Sequence, residues 1–163
     1  MKNLRPEADP DGVIRLLSCS PDFSDHLSLE AGLECPSDGC ASRWVVYRSA
    51  SVAEAMAALQ AGTIPVMVAE ADSQSSPWRE LLARIQPLPE PPALILASRL
   101  ADERLWAEAL NLGAYDVLAK PFAPHELIRS VTNAWLHWQG LRDHRHRALR
   151  DRRAVAYWNA AAG

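Results

Sequence analysis

The chain has 163 residues, 48% of them apolar and 23% charged, with a net charge of -3. That is the length of one domain, with enough apolar side chains for a sizeable core. The net negative charge argues against wholesale nucleic-acid binding. Three cysteines, Cys19, Cys35 and Cys40, follow a polar start that carries Pro6 and Pro10 and lacks the apolar stretch of a signal peptide. An odd thiol count without such a signal points to reduced cysteines and a cytoplasmic chain. Cys35 and Cys40 are separated by four residues and no second pair follows, short of the roughly four ligands of a structural zinc site. No apolar run approaches the ~18 residues of a membrane helix.

Short apolar runs alternate with helical patterns. Val13–Ser18 predicts a strand and Pro21–Leu33 a helix with proline in its first turn. The connection Glu34 to Arg43, with Pro36, Asp38 and Gly39, is long and predicts a surface excursion. Trp44–Arg48 predicts a strand. Ser51 then caps a helix over Val52–Ala61, with Glu54 completing a capping box and Gly62 ending it. Ile64–Glu70 predicts a strand, Pro77–Ile85 a short helix, and Pro87 to Pro92 a loop. Ala93–Ala97 follows as a strand and Ala101–Leu112 as a helix stopped by Gly113. Tyr115–Ala119 predicts the last strand, and Pro124 opens a helix that reaches at least Trp138.

Five βα units in series imply a five-stranded parallel sheet with helices on both faces. Unbroken apolar strands such as Ile64–Ala69 suit burial on both faces. Such sheets bind ligands beyond the carboxyl ends of their strands. Function is therefore expected at Ser18–Ser20, Glu70–Asp72, Ala97–Arg99 and Lys120–Pro121.

The stretch Leu112-Gly-Ala-Tyr-Asp-Val-Leu-Ala-Lys-Pro-Phe122 resembles the end of a response-regulator receiver domain, and the likeness extends over roughly Gly12 to Gly140. The resemblance implies the flavodoxin-like receiver fold and assigns roles by position. Lys120 matches the lysine that reaches the phosphoryl group, and Lys120–Pro121 matches a bond that is commonly cis. The phosphoacceptor position, counted from Glu80-Leu81-Leu82, falls on Glu70, with Asp72 the nearby alternative in the loop. The acidic pair that holds a divalent metal falls on Ser18 and Cys19, so both acids are missing, and a serine and a thiol are poor Mg²⁺ ligands. Without that ion, phosphoryl transfer lacks its main neutralising charge. The switch hydroxyl matches Ser98 counted back from Lys120, or Ala97 counted forward from Pro92. The switch aromatic falls on Val117, with Tyr115 two residues earlier and expected on the same side.

These correspondences point to a divergent receiver-like signalling module with no catalytic residues, no metal and no cofactor. It is expected to act through protein–protein contact without phosphorylation. Glu70 either pairs with Lys120 as a standing mimic of the phosphorylated state or is silent. The alternatives are a phosphorylatable receiver with an atypical site, including metal-dependent chemistry through Glu70, Asp22 or Asp72, and a cofactor-binding or enzymatic protein on the same fold.

The organisation reads as a polar segment 1–11, a receiver-like domain 12–140 and a basic extension 141–163. The extension holds six arginines against two aspartates over Leu141 to Arg153. It is expected to prolong the last helix as a solvated arm too polar to pack on its own domain, and too short for an effector domain. Partners are expected to be a signalling protein and a second copy of the chain, met through the last two helices and the fifth strand. Trp106, Trp135 and Trp138 either pack in the core or serve as anchors for that contact. Nucleic acid and membrane are not expected partners.

Overall fold

A computed structural model of the chain describes residues 13–34, 43–72 and 77–161. The segment 1–11 and the loop with Cys35 and Cys40 lie outside the described residues. Among the described residues ten elements alternate strictly: β1 (Val13–Cys19), α1 (Phe23–Leu33), β2 (Arg43–Ser49), α2 (Val52–Ala61), β3 (Val66–Glu70), α3 (Trp78–Ile85), β4 (Ala93–Ser98), α4 (Glu103–Leu112), β5 (Asp116–Ala119) and α5 (Pro124–Ala161). The five strands form one sheet in the order β2-β1-β3-β4-β5, parallel throughout. The expected α/β architecture is therefore present.

Side-chain alternation along β1 divides the core. Ile14 and Leu16 pack with Leu29 of α1 and with Leu127, Val131, Ala134 and Trp135 of α5. Leu17 and Cys19 pack on the other face with α2, α3 and α4. Each aliphatic side chain buried this way contributes about 1.5–3 kcal/mol. Close approach of α1 to α5 depends on Gly32, where a Cβ would lie 2.6 Å from Cδ2 of Leu127. Gly113 ends α4 in the left-handed region, at φ 104°, with its N–H returned to the helix carbonyls.

Two helix starts, those of α1 and α4, are set by polar caps two residues inside the expected bounds, whereas α2 starts where expected. Asp22 accepts the Ser24 N–H, so α1 begins after Pro21 rather than at it. Asp102 accepts the Leu105 N–H and delays α4 to Glu103. Ser51 accepts the Glu54 N–H at 3.2 Å, and Glu54 returns to the N–H of Ala50 at 2.8 Å.

The expected extended C-terminal helix is present, and it is the docking of its polar stretch that departs from expectation. Helix α5 continues through Gly140 for 38 residues, about 57 Å at 1.5 Å per residue. Its polar stretch does pack on its own domain. Arg142 and His146 meet Glu90 at 3.7 and 3.0 Å, and Arg145 donates to the Pro89 carbonyl. Polar partners in the Pro87–Pro92 loop supply what the thin apolar stripe lacks.

The tryptophans divide between the core and the surface. Trp135 and Trp138 are core residues, 5% and 4% exposed, and only Trp106 of the three stands outward, at 46%. Tyr115 precedes β5 and lies beside His137 of α5, ring centroids 5.2 Å apart. It packs in the α1/α5 layer, whereas Val117 packs in the opposite one, so the two do not share a side.

Candidate functional site at the carboxyl end of the sheet

The chain runs from β1 outward to β2, then returns to β3 on the other side of β1. The order reversal opens a crevice at the carboxyl ends of β1 and β3. Ser18 and Cys19 end β1, in register with Val68 and Ala69 of β3. Glu70 ends β3 beside Ala97, and Ser98 ends β4 beside Ala119.

The two β1 positions are chemically closed. The Ser18 hydroxyl lies 2.7 Å from Nδ1 of His26, both residues buried. Burial, followed by the nearby Arg48 guanidinium, holds the His26 imidazole below its usual pKa and so neutral. Burial likewise pushes the Cys19 thiol up, so it stays protonated, and it faces the Ser51 carbonyl at 3.9 Å. Neither group is a ready ligand for a hard cation.

Lys120 leaves β5 at the cis Lys120–Pro121 bond, with its N–H bonded to the Ser98 carbonyl at 2.8 Å. Its ammonium meets Asp25 Oδ1 and Oδ2 at 3.0 and 2.9 Å and Asp72 Oδ2 at 2.7 Å. Burial acts to lower the lysine pKa, but the two carboxylates outweigh it and the net shift is upward. Burial acts to raise the pKa of Asp72; Lys120, the Arg99 N–H and Ser98 more than offset this and hold it below the ordinary range. The Glu70 carboxylate receives the N–H of Asp72, so it braces the loop at the end of β3.

The salt bridges of Lys120 thus go to Asp25 and Asp72, where the sequence pointed to Glu70. Nor is the site bare of acids: a carboxylate comes from the first turn of α1 and another from the β3–α3 loop. Asp72 was visible as a loop alternative. Asp25 was missed. Its signal was the spacing Asp22-x-x-Asp25, a helix start with an acid in the first turn, where the helix dipole favours it. Ser98 lies at the site and its hydroxyl accepts the Leu100 N–H at 3.1 Å.

A cavity of about 320 Å³ adjoins this cluster, lined by Ser24, Asp25, Ser28, Arg99, Lys120, Pro121 and Phe122. The donors do not suit the divalent ion that the fold implies. Among the described residues no three His, Cys, Asp or Glu side chains converge on a metal position. The two carboxylates that do converge already surround an ammonium. A divalent ion about 4 Å from that ammonium would meet repulsion of roughly 8 kcal/mol at an effective dielectric of about 20, twice the value for two unit charges.

No family model and no curated protein matches the sequence. Solved structures do. A response-regulator structure from Chloroflexus aurantiacus is 25% identical, with a TM-score of 0.63 over 76% of this chain and 98% of that one. The signal receiver domain of an HD domain-containing protein from Pseudomonas fluorescens is 23% identical, with a TM-score of 0.66 over 80% and 92%. A CheY-like receiver domain protein from Methanospirillum hungatei is 19% identical, with a TM-score of 0.63 over 78% and 98%. Topology, site position and these neighbours agree: the chain has the receiver fold of response regulators.

Proposed function

We propose that the chain is a divergent receiver-like signalling module, with domain 12–140 as its body, that acts by protein–protein contact without phosphorylation. The observation that carries this reading is the closed end of β1. Where a receiver presents carboxylates to a divalent ion, this chain presents a Ser18–His26 hydrogen bond and a protonated thiol. Phosphoryl transfer depends on charge neutralisation by that ion. A receiver surface independent of it has one standing conformation to offer a partner.

The partner face is proposed to be α4, β5 and α5, used by a second copy as well as by a signalling protein. Trp106 and Leu112 of α4 and Leu136, Leu141 and Leu149 of α5 are large apolar side chains left exposed on these elements, and Leu100 lies just before α4. The test of the phosphorylation reading is incubation with acetyl phosphate and Mg²⁺, followed by intact mass measurement. The expected result is an unmodified chain. A stable phosphoryl adduct on Asp72 or Glu70 overturns the reading and favours the second one, a phosphorylatable receiver using the cavity beside Lys120.

A further inference from the structure

We propose that the Lys120 ammonium is a tethered counter-cation: it fills the position between Asp25 and Asp72 that a divalent ion would otherwise take, and so makes this end of the sheet indifferent to Mg²⁺. The inference rests on the phosphorylation-independent reading and adds the device that maintains it. Three separate elements converge on one point. Asp25 comes from α1, Asp72 from the loop after β3, and Lys120 from the end of β5, and all three ion contacts fall between 2.7 and 3.0 Å. The three side chains are only 7%, 13% and 19% exposed. At that burial an ammonium between two carboxylates is structural charge compensation, not a solvated surface pair.

Each carboxylate is held by something other than the lysine. The Ser20 hydroxyl donates to Asp25 Oδ2 at 2.7 Å and itself accepts the Asp22 N–H, while its backbone N–H is tied to the Ser49 carbonyl. Asp72 Oδ1 receives the Arg99 N–H. The acids therefore keep their places when the cation is removed, and would face each other across an ammonium-sized gap. The residue type fits the task. The chain has two lysines, Lys2 and Lys120, against fifteen arginines. A compact point charge is what two converging carboxylates can share, whereas a guanidinium fork demands a planar, wider site.

The experiment compares the full-length chain, Lys120→Met, and the double variant Lys120→Met with Asp72→Asn, titrated with Mn²⁺ by calorimetry and by thermal unfolding. Wild type is expected to show no saturable binding and no shift of Tm at millimolar Mn²⁺. Lys120→Met is expected to gain affinity by about tenfold or more and to rise in Tm with Mn²⁺, and the double variant to lose both effects. Saturable Mn²⁺ binding by wild type, or no gain in a folded Lys120→Met, overturns the tether.

Should Lys120→Met not fold, wild type decides. With ¹⁵N-lysine label only two side-chain ammonium groups exist, and that of Lys120 should exchange its protons slowly. Exchange as fast as that of free lysine overturns the proposal. Acetyl phosphate labelling run in parallel keeps the two claims apart. An adduct on wild type sinks the phosphorylation-independent reading; no adduct together with an unresponsive Lys120→Met sinks the tether alone.

Discussion

At the end of β1 the Ser18 hydroxyl and the His26 imidazole form a buried pair. The pair sets a pH response of its own. Burial holds the folded-state pKa of His26 below the unfolded value of about 6.5. In the window below that value the unfolded chain binds more protons than the folded one, so stability rises with pH. The contribution is present above about pH 6.5 and is lost as the pH falls through and below it. Asp72, also depressed in the fold, gives up its share only below about pH 3.9, so the two windows separate. Urea midpoints measured from pH 7.5 to pH 5 should fall for wild type and stay flatter for His26→Gln. Ser18→Ala leaves the buried Nδ1 without its partner and should cost about 1–3 kcal/mol at neutral pH. An unchanged urea midpoint would show that the hydrogen bond does not hold the imidazole.

Between elements, the α1–α5 contact and the base of the long helix are the informative joints. Gly32→Ala would push a methyl into Leu127, which is fully buried, and overpacking of this kind costs about 1–3 kcal/mol. Thermal unfolding should show the loss, and Leu127→Ala in the Gly32→Ala background should recover only part of it, because removing Leu127 opens a cavity elsewhere. The extension is held through Glu90, which faces Arg142 and His146. These groups are partly exposed, so Glu90→Gln should change global stability by less than about 1 kcal/mol. Its effect should be local: faster amide hydrogen exchange along residues 141–153, with the sheet unaffected. Protection unchanged in that stretch would mean that the helix stands without its loop contacts.

For the whole molecule, the question is what the α4–β5–α5 face meets. Two of the three tryptophans are spent on the core, which leaves Trp106 with Leu100, Leu112, Leu136, Leu141 and Leu149 as the exposed large apolar side chains of these elements. An isologous pair through this face would be the commonest arrangement and should bury at least about 1,000 Å². Sedimentation equilibrium of the full chain at tens of micromolar should therefore show a dimer, and Trp106→Glu should give a monomer with an unchanged Tm. A wild-type monomer at those concentrations, or a dimer that survives Trp106→Glu, removes this face as the contact.

The pattern of apolar runs and helix punctuation was sufficient for the architecture. Period and length separate buried strands from helices, and parallel βα units have few ways to pack, so the sheet and its two faces were legible in the sequence. The reading of Ser18 and Cys19 as the acidic-pair positions also came from the sequence alone, through a resemblance that concerns residue identity at a position. What it did not determine was who meets Lys120. Register placed Glu70 at the end of β3, but the ion pair is decided by where α1 and the β3–α3 loop turn their carboxylates. Asp25 and Asp72 are 95 and 48 residues from Lys120 along the chain, and no local pattern couples them to it. The same holds for the tail: composition called Leu141–Arg153 too polar to dock, and only the fold brought Pro89 and Glu90 within reach. Local propensity is written in neighbouring residues, whereas charge pairing depends on which distant segments the packed sheet brings face to face.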